Sequence, residues 1–192
     1  MACLLTHGRA EVCKEFVGGI KSIYFINYGD LGAIAYGTIN TDASDQINTI
    51  AGTMSLFKYD LKGANSFEQT VTSSRENGTT FVEQTLTFTI KGLDASTTKQ
   101  MKLLAWGRPH VVIKTNANNF FLAGLNNGMD VTTGLISNGT AMGDLNGYTL
   151  TLVGMEQIPA NHLNVASPFA DSDLVGATKV FTGLTTANII TV

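Results

Sequence analysis

Groups that could do chemistry are few in this sequence and far apart. The three histidines, His7, His110 and His162, share no local motif. There is no His-Glu-x-x-His pair to hold zinc and no Gly-x-Ser-x-Gly elbow to present a nucleophile. Gly18-Gly19-Ile20-Lys21 lacks the spacing that cradles phosphate. Cys3, His7 and Cys13 lack zinc-finger spacing and have no evident fourth ligand. Asp171-Ser172-Asp173 is like a fragment of a calcium loop, without the glycine and the bidentate glutamate that complete one. His110 follows Pro109 at a strand start and reads as a packed or rim residue, and Trp106 as an anchor against a sheet. The expectation is a non-enzyme, with no catalytic residue, no metal ligand set and no cofactor.

Chemistry of another kind is concentrated between Ser66 and Gly107. Asn77-Gly78 is a strong hairpin signal, because a type I′ turn needs positive φ at both central residues. With Asn77 and Gly78 as the two loop residues, Thr72 faces Glu83, Thr70 faces Thr85, Glu68 faces Thr87 and Ser66 faces Thr89. The opposite side of the ribbon holds Val82, Leu86, Phe88 and Ile90, with Val71 facing Gln84. One face is thus nearly all polar and the other mostly apolar, and a one-residue slip would mix them. A half-buried hairpin on any sandwich would show the same alternation. A long, threonine-rich face also suits the lining of something wet, beside which other copies of the strand can pair.

The elements that must position this ribbon are mostly strands. Ile20 to Tyr28 is apolar on both faces and reads as a central strand. Leu31 to Ile39 reads as a second strand and Ile47 to Asp60 as a third, with Asn40 to Gln46 a polar loop. After Lys91-Gly92 the period changes from two to helical. Asp94 or Ser96 can cap a helix over about 95–106, with Thr97, Met101, Leu104 and Ala105 on one stripe, and Gly107 and Pro109 end it. His110 to Thr115 and Phe120 to Gly124 form a strand pair, followed by Met129 to Ser137 and Tyr148 to Met155. The fold class expected is mainly β: a β-sandwich with a long β-hairpin and one flanking α-helix. Its organisation reads as an N-terminal arm (1–19, with a short strand near Ala10 to Lys14), a sandwich core (20–159) and a C-terminal arm (160–192) able to add a strand to a neighbour.

Composition narrows the function classes. Charged residues make up 14% of the chain, below the roughly 25% usual for soluble domains. That deficit leans toward burial in an assembly. A net charge of −3, with Lys and Arg scattered, argues against a surface that binds nucleic acid tightly. Two cysteines support no disulfide framework. Met1 to Leu5 is too short for a signal-peptide core, and no stretch approaches a transmembrane span. The Asn-x-Thr sequons at Asn77 and Asn138 read as turn chemistry.

Two runs, Asn138 to Thr151 and Gly8 to Lys14, are similar to runs in small virion proteins of tailed bacteriophages. The order of long hairpin, single helix and further strands resembles the tail-tube fold. The resemblance covers about half the chain, and the long C-terminal segment departs from the minimal pattern. It implies a virion protein of the phage tail, assembled in the bacterial host cytoplasm as a homo-oligomeric ring, usually of six copies. Neighbouring tail or neck proteins would flank the ring, which could equally serve as tube, hub or connector. Paired hairpins would form an inner barrel through which DNA passes without specific binding, and no membrane is involved. In that setting Glu68, Thr70, Thr72, Glu83, Thr85, Thr87 and Thr89 are expected to face the channel. Two carboxylates and no basic group before Lys91 fit a conduit, because fixed positive charge would hold phosphate. The rivals are a capsid-decoration or carbohydrate-binding sandwich, which would favour aromatic platforms on loops, and a small hydrolase, which would need a convergent acid–base site.

Overall fold

The computed structural model describes residues 8–11, 13–14, 17–37, 45–165, 174–176 and 179–191. Their fold is mainly β, with three sheets and one α-helix. The largest sheet runs β11 (Asn161–His162), β8 (Phe120–Ala123), β7 (His110–Thr115), β1 (Ile20–Ile26), β4 (Leu56–Asp60) and β13 (Ile189–Ile190). A four-stranded antiparallel sheet runs β5 (Ser66–Ser74), β6 (Thr79–Lys91), β10 (Gly147–Glu156) and β9 (Asp130–Ser137). The smallest holds β12 (Phe181–Thr182), β3 (Ile47–Ala51) and β2 (Ile34–Tyr36).

The double-sided apolar pattern of β1 has a direct cause, since the six-stranded sheet is the middle layer of three. Period-two alternation sends Tyr24, Ile26, Val112 and Leu122 to a core shared with Ile47, Ile50 and Phe181. It sends Ile23, Phe25, Val111 and Ile113 to a second core with Leu86, Phe88, Tyr148, Leu150 and Leu152. The expected single sandwich is therefore the second of these cores, with a further sheet laid on the other side. Each fully buried large side chain contributes about 1.5–3 kcal/mol, so both cores matter to stability.

Several expectations need correction. The hairpin register is displaced by two residues: Thr72 lies opposite Phe81, Thr70 opposite Glu83, Glu68 opposite Thr85 and Ser66 opposite Thr87. The loop has four residues, Arg75 to Gly78, with Gly78 at φ +63° and Asn77 outside the positive region. The Asn77 amide instead donates to Ser74 Oγ at 3.3 Å, which closes the loop by a side-chain bond. An even shift keeps every side chain on its expected face. It also sets Val71 opposite Val82 rather than Gln84, and leaves Val71 62% exposed.

Ile47 to Asp60 is two strands in different sheets, β3 and β4, because Gly52 at φ +152° turns the chain between layers. The described residues of 10–14 form no strand; further on, Asn116 bonds the carbonyls of Gly18 and Gly19. The described C-terminal residues do not leave the body as an arm. Leu163, Leu174, Val175, Val180, Phe181 and Leu184 are buried, and β12 and β13 pair in parallel with β3 and β4 of the same chain.

The helix α1 (Ala95–Trp106) starts at Asp94, whose Oδ2 accepts the amides of Ser96 (2.9 Å) and Thr97 (3.2 Å). The Ser96 side chain first, and then the Thr97 and Ser96 amides, hold the Asp94 carboxyl below its ordinary value by hydrogen bonding. The Tyr148 hydroxyl donates to the Asp94 carbonyl (3.0 Å) and accepts its amide (3.2 Å), fastening the helix start to the four-stranded sheet. Of the expected stripe Met101 is buried, Thr97 and Leu104 are half-buried and Ala105 is exposed. Trp106 is not an anchor: it is 76% exposed, with Lys102 Nζ 4.8 Å from its ring. Five residues beyond Met101 it points about 140° away from the buried stripe.

Candidate functional site

Outward-facing residues of the four-stranded sheet form ranks across the strands. β6 runs through the middle. Glu83 lies between Thr70 and Met155, and Thr85 between Glu68 and Val153 with Asp130 beyond. Thr87 lies between Ser66 and Thr151 with Thr133 beyond, and Thr89 beside Thr149 with Leu135 beyond. Lys91 ends the face beside Gly147 and Ser137. All seven residues expected on the polar face, Glu68, Thr70, Thr72, Glu83, Thr85, Thr87 and Thr89, therefore share it. Those on β5 are exposed and those on β6 half-buried.

Strands about 4.8 Å apart bring threonine hydroxyls into contact across the sheet. Thr87 Oγ1 lies 3.2 Å from Thr151 Oγ1, and Thr89 Oγ1 lies 3.3 Å from Thr149 Oγ1. Each such pair contributes about 0.2–1 kcal/mol. The face is wider than the hairpin alone: Thr133, Thr149 and Thr151 extend it, and Met155 and Leu135 interrupt it with exposed apolar groups. The signal for β10 was in the sequence, since Tyr148, Leu150 and Leu152 facing inward leave Thr149, Thr151 and Val153 outside. Both outer strands, β5 and β9, have open edges among the described residues. Val71 on one (62% exposed) and Leu135 and Ile136 on the other (58% and 59%) sit beside those edges.

Behind the face, buried polar groups tie the layers together. Gln84, 1% exposed, accepts the Gly124 amide at 2.9 Å and donates to the Ile158 carbonyl at 3.4 Å. Glu156, 2% exposed, accepts the amides of Asn126 and Asn127, each at 2.8 Å, and Asn126 Nδ2 at 3.3 Å. His110 is buried, stacked on Tyr28, with Nδ1 donating to the Gly124 carbonyl and Nε2 accepting the Gly29 amide at 3.4 Å. Burial pushes its imidazole below the ordinary value, against the raising effects of the Gly124 carbonyl and the Glu156 and Asp30 charges. With both ring nitrogens engaged, His110 is a structural group.

A concavity opens between α1 and the strands β1 and β4. It has a volume of about 480 Å³, and Phe25, Tyr28, Phe57, Tyr59, Met101 and Leu103 are among its walls. Phe25 and Tyr59 meet edge to face at 5.5 Å. Arg108 stands at the rim, 4.9 Å over the Tyr28 ring and 3.9 Å from Asp130, and its guanidinium donates to the Asn127 carbonyl. Burial raises the Tyr59 hydroxyl above its ordinary value, so it remains a neutral hydrogen-bonding group.

Among the described residues, no three His, Cys, Asp or Glu side chains converge to hold a metal ion. Cys3, His7 and Asp171 to Asp173 lie outside the described residues, and Cys13 is an exposed thiol. No described helix is long and apolar enough to cross a membrane. Compared with family models, with curated proteins and with solved structures, the chain matches none of them.

Proposed function

We propose that this chain is a structural virion protein of a tailed phage, with a tail-tube-like fold, that closes into a homo-oligomeric ring around a DNA path. One observation carries the reading. The hydroxyl-rich face and the two open edges belong to the same sheet, so edge pairing of β5 on one copy with β9 on the next carries that face from copy to copy. Closure removes both edges, which is the general cure for exposed strand pairing. It also covers Val71, Leu135 and Ile136, which are otherwise in water. Six copies, the number that the phage resemblance implies, would set twenty-four strands in a barrel with a perimeter of about 115 Å, enough to surround a duplex.

Glu68, Thr70, Thr72, Glu83, Thr85, Thr87 and Thr89 then face the channel. Hydroxyls keep the wall wet, while Glu68 and Glu83 outnumber Lys91, so the wall repels phosphate at short range. That repulsion is screened beyond about 8 Å at physiological salt. Neighbouring tail or neck proteins would stack on the two ends of the ring. Native mass spectrometry and negative-stain microscopy of the purified protein test the reading. Closed rings with a central hole are the expected result; a stable monomer or compact trimer at high concentration overturns it in favour of a decoration protein.

A further inference from the structure

Asparagine followed by glycine is a dipeptide that can modify itself. The glycine amide, with no side chain to crowd it, gives its proton to hydroxide, and its nitrogen attacks the asparagine Cγ. A C–N bond forms, the bond from Cγ to the side-chain nitrogen breaks, and that nitrogen leaves as ammonia. The cyclic imide takes up water at either carbonyl and opens to aspartate or isoaspartate. Water is the only co-reactant, and nothing is oxidised or reduced. The attack needs the nitrogen about 3–3.5 Å from Cγ, so a structure that fixes either group in another geometry blocks it. The chain has four such pairs, at Asn77-Gly78, Asn127-Gly128, Asn138-Gly139 and Asn146-Gly147.

Three of them are held. Asn127 Nδ2 donates to the Met155 carbonyl at 2.7 Å, and the Asn127 amide donates to Glu156 at 2.8 Å. Gly128 is packed so closely that an added Cβ would lie 2.5 Å from the Arg108 carbonyl oxygen. The Gly139 amide, which would be the attacking group, donates to Ser137 Oγ at 3.2 Å, and Asn138 Oδ1 accepts Asn146 Nδ2 at 3.4 Å. Gly147 lies inside β10, paired with Lys91 on one side and Ser137 on the other. The Asn146 carbonyl just before it accepts the Gly92 amide at 2.7 Å. Positive φ does not separate the pairs, since Gly78, Gly128 and Gly139 share it.

The hairpin tip differs from all three. Asn77 and Gly78 are exposed, and an added Cβ on Gly78 would meet nothing within 4 Å. The Asn77 backbone amide donates to Ser74 Oγ, but among the described residues neither the Asn77 carboxamide nor the Gly78 amide has a hydrogen-bond partner. We propose that Asn77-Gly78 is a site of spontaneous deamidation, which converts the neutral tip of the ribbon to aspartate or isoaspartate as the protein ages. The change lies between Ser74 and Thr79, the last paired residues, so strand pairing is left intact and the folded chain carries the new carboxylate. It stands next to Glu76 and makes the tip more acidic.

The test ages the full chain, folded, at mildly alkaline pH beside the same chain unfolded in urea. Peptides cut at mildly acidic pH, where hydroxide is scarce, are weighed to follow the exchange of side-chain NH2 for OH at each pair. In urea the four pairs should convert at similar rates. In the folded chain Asn77 should keep that rate, while the other three slow by roughly tenfold or more because their bonds must first open. Asn77→Gln, whose longer side chain would have to close a larger ring, should remove the acidic species that ageing otherwise yields on ion exchange. Protection of Asn77 equal to that of the other pairs overturns the inference, as does an undiminished acidic species from Asn77→Gln. The outcome is separate from ring closure: a monomer that converts at Asn77 supports this site while refuting the ring, and a closed ring protected at Asn77 does the reverse.

Discussion

Reversing the charge of the threonine face is the perturbation that bears most directly on the proposed conduit. Glu68 and Glu83 are diagonal neighbours, since Glu68 faces Thr85 and Glu83 faces Thr70. Replacing both with lysine exchanges one like-charge pair for another, so their mutual repulsion is unchanged in kind. The positions are exposed and half-buried, and the folding cost should stay within about 0.5 kcal/mol. The wall, however, changes sign. With Asp130 beside Arg108, Glu68 and Glu83 against Lys91 leave an excess of one carboxylate per copy, and the double variant has an excess of three cationic groups. If about six new ammonium groups in a ring meet phosphates at once, binding of duplex DNA should fall with salt at a log–log slope near −5. The assay is fluorescence anisotropy of a short labelled duplex with assembled wild-type and Glu68→Lys/Glu83→Lys protein between 50 and 200 mM salt, as an order-of-magnitude range over which such binding collapses. Wild type should hold no DNA, and the variant should hold it at low salt and release it at high salt. Assembled variant with no salt-dependent DNA binding would show that this face does not meet DNA, and would remove the electrostatic basis of the conduit.

Three further outcomes follow from particular contacts. Gly78→Val should lower stability by about 1–2 kcal/mol, because a β-branched residue resists the +63° φ that ends the hairpin loop; equal melting temperatures would refute the loop geometry. Glu156→Ala removes the buried carboxylate that gathers the amides of Asn126 and Asn127 and should cost about 1–3 kcal/mol, read as a lower urea midpoint with an unchanged slope. Because burial depresses the folded-state value of His110, the unfolded chain binds more protons below about pH 6.5, so that stability is present above this pH and lost as pH falls further. His162, also depressed by burial, acts in the same direction. Urea midpoints from pH 8 to pH 5 should decline on the acid side, and a His110→Gln variant should show a shallower decline.

Much of the fold was legible because period-two alternation records which faces are buried. β1, β7, β8 and β10 fall where apolar alternation and Asn-Gly punctuation put them, and Asp94 caps the helix by ordinary amide capture. The polar face was legible for the same reason, and it survived an incorrect turn because side-chain direction depends only on parity. What escaped was information carried by distant partners. Nothing local in Ile47 to Asp60 announces that its halves join different sheets; the cause is Gly52 meeting a turn set by tertiary packing. The C-terminal residues look like an arm because their apolar pieces are short, yet Phe181 and Leu184 complete a core that includes Tyr24, Ile26, Ile47 and Ile50, far earlier in the chain. Trp106 escapes for a different reason: aromatic bulk suggests burial, whereas its angle on the helix turns it outward. The cleft needs α1, β1 and β4 together, and no linear pattern contains it.

The hairpin tip has a consequence for how such a chain can change over generations. Pairing of β10 with β6 stops at Val82, so Thr79 to Phe81 and their partners Thr72 to Ser74 stand beyond the sheet with only each other as strand neighbours. Adding one residue to each side of the tip moves the loop outward and leaves all existing pairs in place. Adding one residue to a single side would turn the next segment over and put hydroxyls into the core. Insertions balanced between the two strands should therefore be tolerated and unbalanced ones eliminated. The ribbon is a place where length can drift by matched increments while the chemistry of each surface is inherited intact.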